Sequence, residues 1–195
     1  MTLLAAKDGQ VFSTYLPDCA MKQSVRLMTE VDALIKRANL SLSECDFFSA
    51  VTGPGSFTGI RIGISAIKGF CLAFDKPALG VTSFEIIAYN ALEDGKILAL
   101  IDAGHDAYYA CGYEKGEIIL APCYLTEDEV LEKVEKGYAL YSTAELPIYQ
   151  KSAGKVLSSV DGFEKALKAK ADYVSGNDLS ALYVRKSSAE LNLKK

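Results

Sequence analysis

Gly53-Pro54-Gly55-Ser56-Phe57-Thr58-Gly59-Ile60-Arg61-Ile62-Gly63 lies between a short apolar run, Phe47 to Val51, and a long one, Ile60 to Phe74. Four glycines in eleven positions make this a tight turn from a buried strand into an apolar helix. Two readings of the turn stand side by side. Glycines let backbone amides approach an anion, and a helix start adds unpaired N–H groups and the positive end of its dipole, so Gly53, Gly55, Ser56, Thr58, Gly59 and Arg61 form a candidate anion or nucleotide loop. Alternatively, Gly53, Gly55 and Gly59 serve the turn, while Gly63 and Gly69 permit close helix packing. No Lys-Ser or Lys-Thr pair follows the glycines, so the loop is not of the Walker A kind, and the Rossmann spacing also fails.

Working outward, the chain opens with Leu3 to Ala6, the turn Lys7-Asp8-Gly9-Gln10 and Val11 to Tyr15, which predict a hairpin because Asp-Gly tolerates the positive backbone angles of a two-residue turn. Leu27, Met28, Val31, Leu34, Ile35 and Ala38 recur at three- and four-residue steps, predicting an amphipathic helix from Gln23 to Ala38. A strand from Ala78 to Val81 follows the apolar helix, and Thr82 with Glu85 predicts a capping box for a helix running to about Leu92. The pattern then restarts. Ile97 to Asp102, Ala107 to Tyr113 and Glu117 to Leu120 predict a meander, followed by a helix from Thr126 to about Lys136 and a strand from Tyr138 to Tyr141. A strand near Lys155 to Leu157 and a helix from Gly162 to Ala171 close the second copy.

Two copies of an antiparallel meander followed by alternating helices and strands describe an α/β protein of two ribonuclease-H-like lobes. The lobes are expected at residues 1–95 and 96–195, with the tail able to pack back on the first. The first copy is one strand short.

Composition excludes several function classes. With 21 Lys plus Arg against 25 Asp plus Glu the net charge is −4, so a basic nucleic-acid cradle is not the default, although Arg185, Lys186, Lys194 and Lys195 could touch RNA within a complex. Cys19, Cys45, Cys71, Cys111 and Cys123 are an odd number with no C-x-x-C pair, which suits reduced thiols in a cytoplasmic protein. His105 stands alone among histidines, reads as a surface-loop residue and predicts no metal site. Phe47 to Ile60, the longest uncharged run, falls short of the roughly 18 residues that cross a bilayer. Asp102, at the end of the first strand of the second copy, joins the candidate nucleotide loop as a carboxylate able to hold hydrated magnesium; its alternative is a turn residue. No Ser, His and Asp arrangement is readable, so no catalytic residue is predicted.

Gly59, Gly63 and Ala66 recur at three- and four-residue steps on a helix that is apolar on nearly every side. Such a helix needs its own sheet on one face and another helix or chain on a second. Met28, Val31 and Ile35 on the first helix, with Gly59, Gly63, Ile64 and Ile67 on the second, are therefore the expected partner surface.

The turn Gly53 to Gly63, continued by Ala66-Ile67-Lys68-Gly69 and by Gly80-Val81-Thr82-Ser83-Phe84-Glu85, closely resembles the bacterial TsaB family, also called YeaZ. Ser24, Arg26 and Leu27 resemble the family's Ser-Glu-Arg-Leu stretch, and Leu182-Tyr183-Val184-Arg185-Lys186 its closing Leu-Tyr-Leu-Arg motif. The resemblance implies the acetate and sugar kinase, Hsp70 and actin superfamily. It implies a non-catalytic scaffold, without cofactors of its own, in making the threonylcarbamoyl modification on the adenosine beside the anticodon of tRNAs that read codons beginning with A. The implied partners are TsaD, which carries the transferase chemistry, and the ATPase TsaE, with a homodimer through the same helices as the alternative to the TsaD heterodimer. By the same implication ATP and magnesium enter only at the partner interface and tRNA only through the complex. An ATPase or small-molecule kinase of the superfamily, or a metalloprotease-like protein, is the runner-up. Two departures stand out: Gln23 and Val25 replace the family's usual His and Glu, and no strand ending in Asp-Thr-Ser precedes Leu3. The second predicts either a segment upstream of Met1 or an exposed sheet edge where that strand belongs.

Overall fold

The computed structural model describes residues 1–17, 23–174 and 179–184. Strands β1 (Thr2–Lys7) and β2 (Gln10–Tyr15) form the expected hairpin, and Asp8 and Gly9 take φ of 50° and 78°, the paired positive angles of the tight turn. Helix α1 (Gln23–Arg37) turns Leu27 and Leu34 inward. Ser41 and Glu44 then cap each other's backbone around a short 3-10 turn, Leu42–Glu44, that periodicity did not predict.

Strand β3 (Phe48–Gly53) runs parallel to β4 (Ala78–Thr82), with helix α2 (Phe57–Phe74) as the crossover. Helix α2 begins three residues before the predicted Ile60, because Ser56 caps it by accepting the Gly59 N–H at 3.2 Å. Helix α3 (Ser83–Ala88) has the predicted Thr82 and Glu85 box but stops well short of Leu92. Its exit tightens into three-residue turns, Asn90 N–H to Ile87 O and Ala91 N–H to Ala88 O, and the Asn90 side chain is drawn to Ser158 O and Lys165 Nζ.

The second lobe is one five-stranded sheet in the order β7-β6-β5-β8-β9, built from β5 (Lys96–Gly104), β6 (Ala107–Glu114), β7 (Glu117–Thr126), β8 (Ala139–Ser142) and β9 (Gly154–Val156). Strand β7 continues past the predicted Leu120 through Pro122. It is an edge strand, where the missing proline N–H breaks no ladder. Helix α4 (Glu127–Glu135) lies between β7 and β8, and α5 (Ser159–Lys170) starts before the predicted Gly162 because Ser158 caps it. Although α5 follows the second sheet in sequence, it packs on the first lobe, with Phe163 and Ala166 against Leu79, Val81 and Ile86. Lys170 fastens its far end, donating to Gly80 O at 2.9 Å and pairing at 2.7 Å with the Glu85 oxygen that the cap leaves free.

Helix α3 is the hinge pin of the molecule. Phe84, Ile87 and Ala88 enter the core of the second sheet with Ile97, Ala99, Cys111 and Tyr141, while Ile86 enters the first lobe with Val81 and Phe163. The first lobe itself is two separate pairs, β1 with β2 and β3 with β4. Among the described residues, no strand of the first lobe pairs with both β1 and β3 as β5 pairs with both β6 and β8.

At 18 residues, α2 meets the length and apolarity of a membrane span, because a run broken by single charges still averages apolar. Arg61 and Lys68 stand exposed on it, and Ile64, Phe70, Cys71 and Phe74 cover Phe48 and Ala50 of β3, the behaviour of a sheet-covering helix.

Cys45, Cys71, Cys111 and Cys123 are free thiols, and Cys19 lies outside the described residues. Burial pushes the Cys111 thiol up from its ordinary value to about 11. Between pH 9 and 11 this thiol ionises in the unfolded chain but stays protonated in the folded one, so the unfolded state binds fewer protons and stability falls as pH rises. The slope is at most about 1.4 kcal/mol per pH unit for one group. Urea midpoints at pH 8, 9.5 and 10.5 should fall less steeply in Cys111→Ala than in the parent; equal slopes would remove Cys111 as a cause.

Candidate functional site

The Gly53 to Arg61 loop is engaged with the chain's own far end. Gly53 has φ of 105°, and a Cβ there would stand 2.8 Å from Ile60 Cδ1 and 3.2 Å from Leu182 O, so only glycine fits. Leu182 N–H donates to Thr52 O at 2.8 Å. Tyr183 then lies beside Phe57, ring centroids 5.6 Å apart, while Arg61 sits 3.8 Å over the Phe57 ring and its Nε donates to Tyr183 Oη at 3.1 Å. Leu182 and Tyr183 are thus held by a backbone hydrogen bond, an aromatic pair and a cation.

This use competes with anion binding. Ser56 Oγ already takes the Gly59 N–H, the Arg61 guanidinium is committed to Phe57 and Tyr183, and Asp102 Oδ1 accepts the Gly104 N–H at 2.7 Å inside its own turn. Gly55 and Thr58 are exposed at the rim. In this structure these residues bond within their own chain. His105, exposed with φ of 55°, occupies the β5 to β6 turn as a loop residue. Sequence reasoning missed the grouping of Phe57, Arg61 and Tyr183; the closing Leu-Tyr-Val stretch was the available signal, but nothing in a linear sequence ties it to residues some 120 positions earlier.

Tyr183→Ala should accelerate amide exchange at Leu182 by about tenfold while lowering Tm by less than about 3 °C, since one half-exposed ring pair contributes about 1 kcal/mol. Unchanged exchange at Leu182 would show that the backbone bond stands without the ring.

The expected partner surface divides on folding. Met28 is 48% exposed on α1. Val31, Ile35, Gly59 and Gly63 are half-buried, and a Cβ at Gly63 would meet nothing within 4 Å. Ile64 is a correction: it belongs to the core with Phe48, Ala50 and Cys71, and Ile67 packs against the same cluster. Two residues that periodicity assigned to no surface, Val25 and Leu72, stand 79% and 86% exposed on the neighbouring helices α1 and α2.

The family model described as "TsaD: tRNA N6-adenosine threonylcarbamoyltransferase" matches residues 15–184. The tRNA threonylcarbamoyladenosine biosynthesis protein TsaB of Escherichia coli is 30% identical over 113 residues, 56% of this chain and 48% of that protein. The chain belongs to the TsaB (YeaZ) family. A solved structure titled YeaZ from Pseudomonas aeruginosa superposes with a TM-score of 0.73 at 25% identity, covering 93% of both chains. Similarity extends to the tRNA N6-adenosine threonylcarbamoyltransferase of onion yellows phytoplasma, 30% identical over 145 residues, 69% of this chain and 60% of that one. The matched stretch spans about half the length of the E. coli TsaB. Among TsaB-like features of this chain, the glycine-rich loop and the Leu182 to Val184 stretch are thus one structural unit, two ends of the sequence fastened together.

Proposed function

We propose that the chain is a non-catalytic scaffold in tRNA threonylcarbamoyladenosine synthesis, acting in the cytoplasm by binding a TsaD subunit through α1 and α2, with TsaE joining the pair. The observation that carries this reading, beside family membership, is that both helices leave large apolar side chains in solvent, Val25 and Met28 on one and Leu72 on the other. In this reading these exposed side chains belong to the partner surface. Support for a non-enzymatic role is that Ser56, Arg61 and Asp102, the groups that would meet a nucleotide, make bonds within the molecule. ATP and magnesium belong to the partner interface in this reading, tRNA is reached only through the complex, and residues 1–95 and 96–195 are the two lobes, with α5 returning to the first.

The test is titration calorimetry with the TsaD of the same organism, joined to nucleoside analysis of tRNA with and without this chain. The double variant Met28→Glu, Leu72→Glu should fold normally, bind TsaD at least about tenfold more weakly, a change of about 1.4 kcal/mol, and lower the modified nucleoside in proportion. Unchanged affinity would remove α1 and α2 from the interface. ATP turnover that survives purification and disappears on Asp102→Ala would replace the scaffold reading with the kinase-like one.

A further inference from the structure

A cavity of about 350 Å³ lies between α3 and the hairpin of β6 and β7, with Leu182 at its edge. Phe84, Ala88 and Leu92 line it from one side, and Tyr113, Ile118 and Pro122 from the sheet. Strand register sets its place: Tyr113 pairs with Ile97, whereas Tyr108 pairs with Asp102, so the cavity sits at the opposite end of β5 from Asp102. Its floor is fixed and its mouth is open. Phe84 and Tyr113 are 0% and 5% exposed, while Leu92 and Ile118 are 38% and 56% exposed, so a small apolar body placed here would bury surface that now meets water.

The charge of the lining has one sign. Among the described residues Glu85 and Glu117 line the cavity, and no lysine or arginine does. Glu85 is compensated, because one of its oxygens accepts the Thr82 N–H at 2.7 Å and the other pairs with Lys170 at 2.7 Å. Glu117 is not. Exposed at the start of β7, its carboxylate has no hydrogen bond or ion pair among the described residues, and its register partner across the turn is a second carboxylate, Glu114. Like charges directly opposite one another destabilise a strand pair, and a cation beside them relieves the repulsion. Lys115 stands in the same turn without lining the cavity. Burial pushes the Tyr113 phenol far above its ordinary value, so this side chain brings a ring and a neutral hydroxyl. Phe84 and Tyr89 add two more rings to the lining, and aromatic faces attract cations.

We propose that this cavity binds a small organic cation, an amine whose apolar or aromatic body lies between α3 and Ile118 and whose ammonium group is held at Glu117. An anion of the same shape would meet the same carboxylate and be repelled.

The probes are 2-phenylethylammonium and 3-phenylpropanoate, alike in body and opposite in charge. Each is titrated into the full chain while the amide signals of Tyr113 and Leu182 are followed by NMR. The ammonium should move both signals saturably, with a dissociation constant of roughly 1 mM or tighter, within reach of a ligand of that size. The propanoate should bind at least about tenfold more weakly, since it exchanges an attraction for a repulsion. Glu117→Gln should weaken the ammonium by about two- to fivefold and bring the two probes closer together. Ile118→Trp, whose larger ring would occupy the mouth, should abolish saturation. Both positions are exposed, so neither variant opens the core. The absence of a saturable shift up to about 20 mM, equal affinity for the two probes, or unchanged ammonium binding in either variant overturns the proposal. No residue of α1 or α2 lines the cavity, so the amine site and the scaffold reading stand or fall separately.

Discussion

Phe84→Ala is expected to lower the unfolding free energy by about 4 kcal/mol, the usual cost of truncating a fully buried phenylalanine. Phe84 is 0% exposed, and its ring leaves the first lobe to enter the second sheet's core with Ile97, Ala99, Cys111 and Tyr141. Its neighbour Ile86 points the other way, into the first lobe. A hole at Phe84 therefore weakens the joint between the lobes more than either lobe. Calorimetry should show Tm lower by about 8–16 °C for a chain of this size. A cost below 1 kcal/mol would mean that α3 does not carry the coupling.

Gly162→Ala should cost about 3 kcal/mol, although alanine is the better helix former by about 1 kcal/mol. A Cβ at Gly162 of α5 would stand 2.1 Å from the Ile86 carbonyl oxygen and 3.0 Å from its carbon, and backbone cannot swing aside as a side-chain tip can. Helices α3 and α5 would have to separate, straining the Lys170 to Glu85 pair that ties them. Gly69→Ala is the matched comparison. Also helical, Gly69 has nothing within 4 Å of an added Cβ, so the same substitution there should raise stability by about 0.5–1 kcal/mol. Urea denaturation of both variants checks the pair, and two changes of the same sign would contradict it.

The candidate site was half legible. Composition and spacing isolated the loop from Gly53 to Gly63 without indicating its use, because anion binding and chain fastening both ask for glycines before a helix. The contact of Tyr183 and Leu182 with the loop arises only on folding and leaves no signal in the sequence. Of the expected partner residues, Met28 emerged exposed and Ile64 entered the core, since an all-apolar helix does not say which of its faces meets the sheet. Val25 and Leu72 were assigned to no surface because a single apolar residue off the main stripe carries no periodic signal.

By itself the sequence determined the local structure: the Asp8-Gly9 turn, the caps at Thr82 and Thr126, and the order of strands and helices. Those features depend on neighbours within a few residues or on repeated order along the chain. Tertiary structure alone decided that α5 crosses to the first lobe, that β7 runs on through Pro122, that α3 serves two cores, and that a cavity lies between β1, β3 and α2. Each of these is a matter of which apolar faces meet and whether an edge is left unpaired, and the same period and composition would serve either outcome.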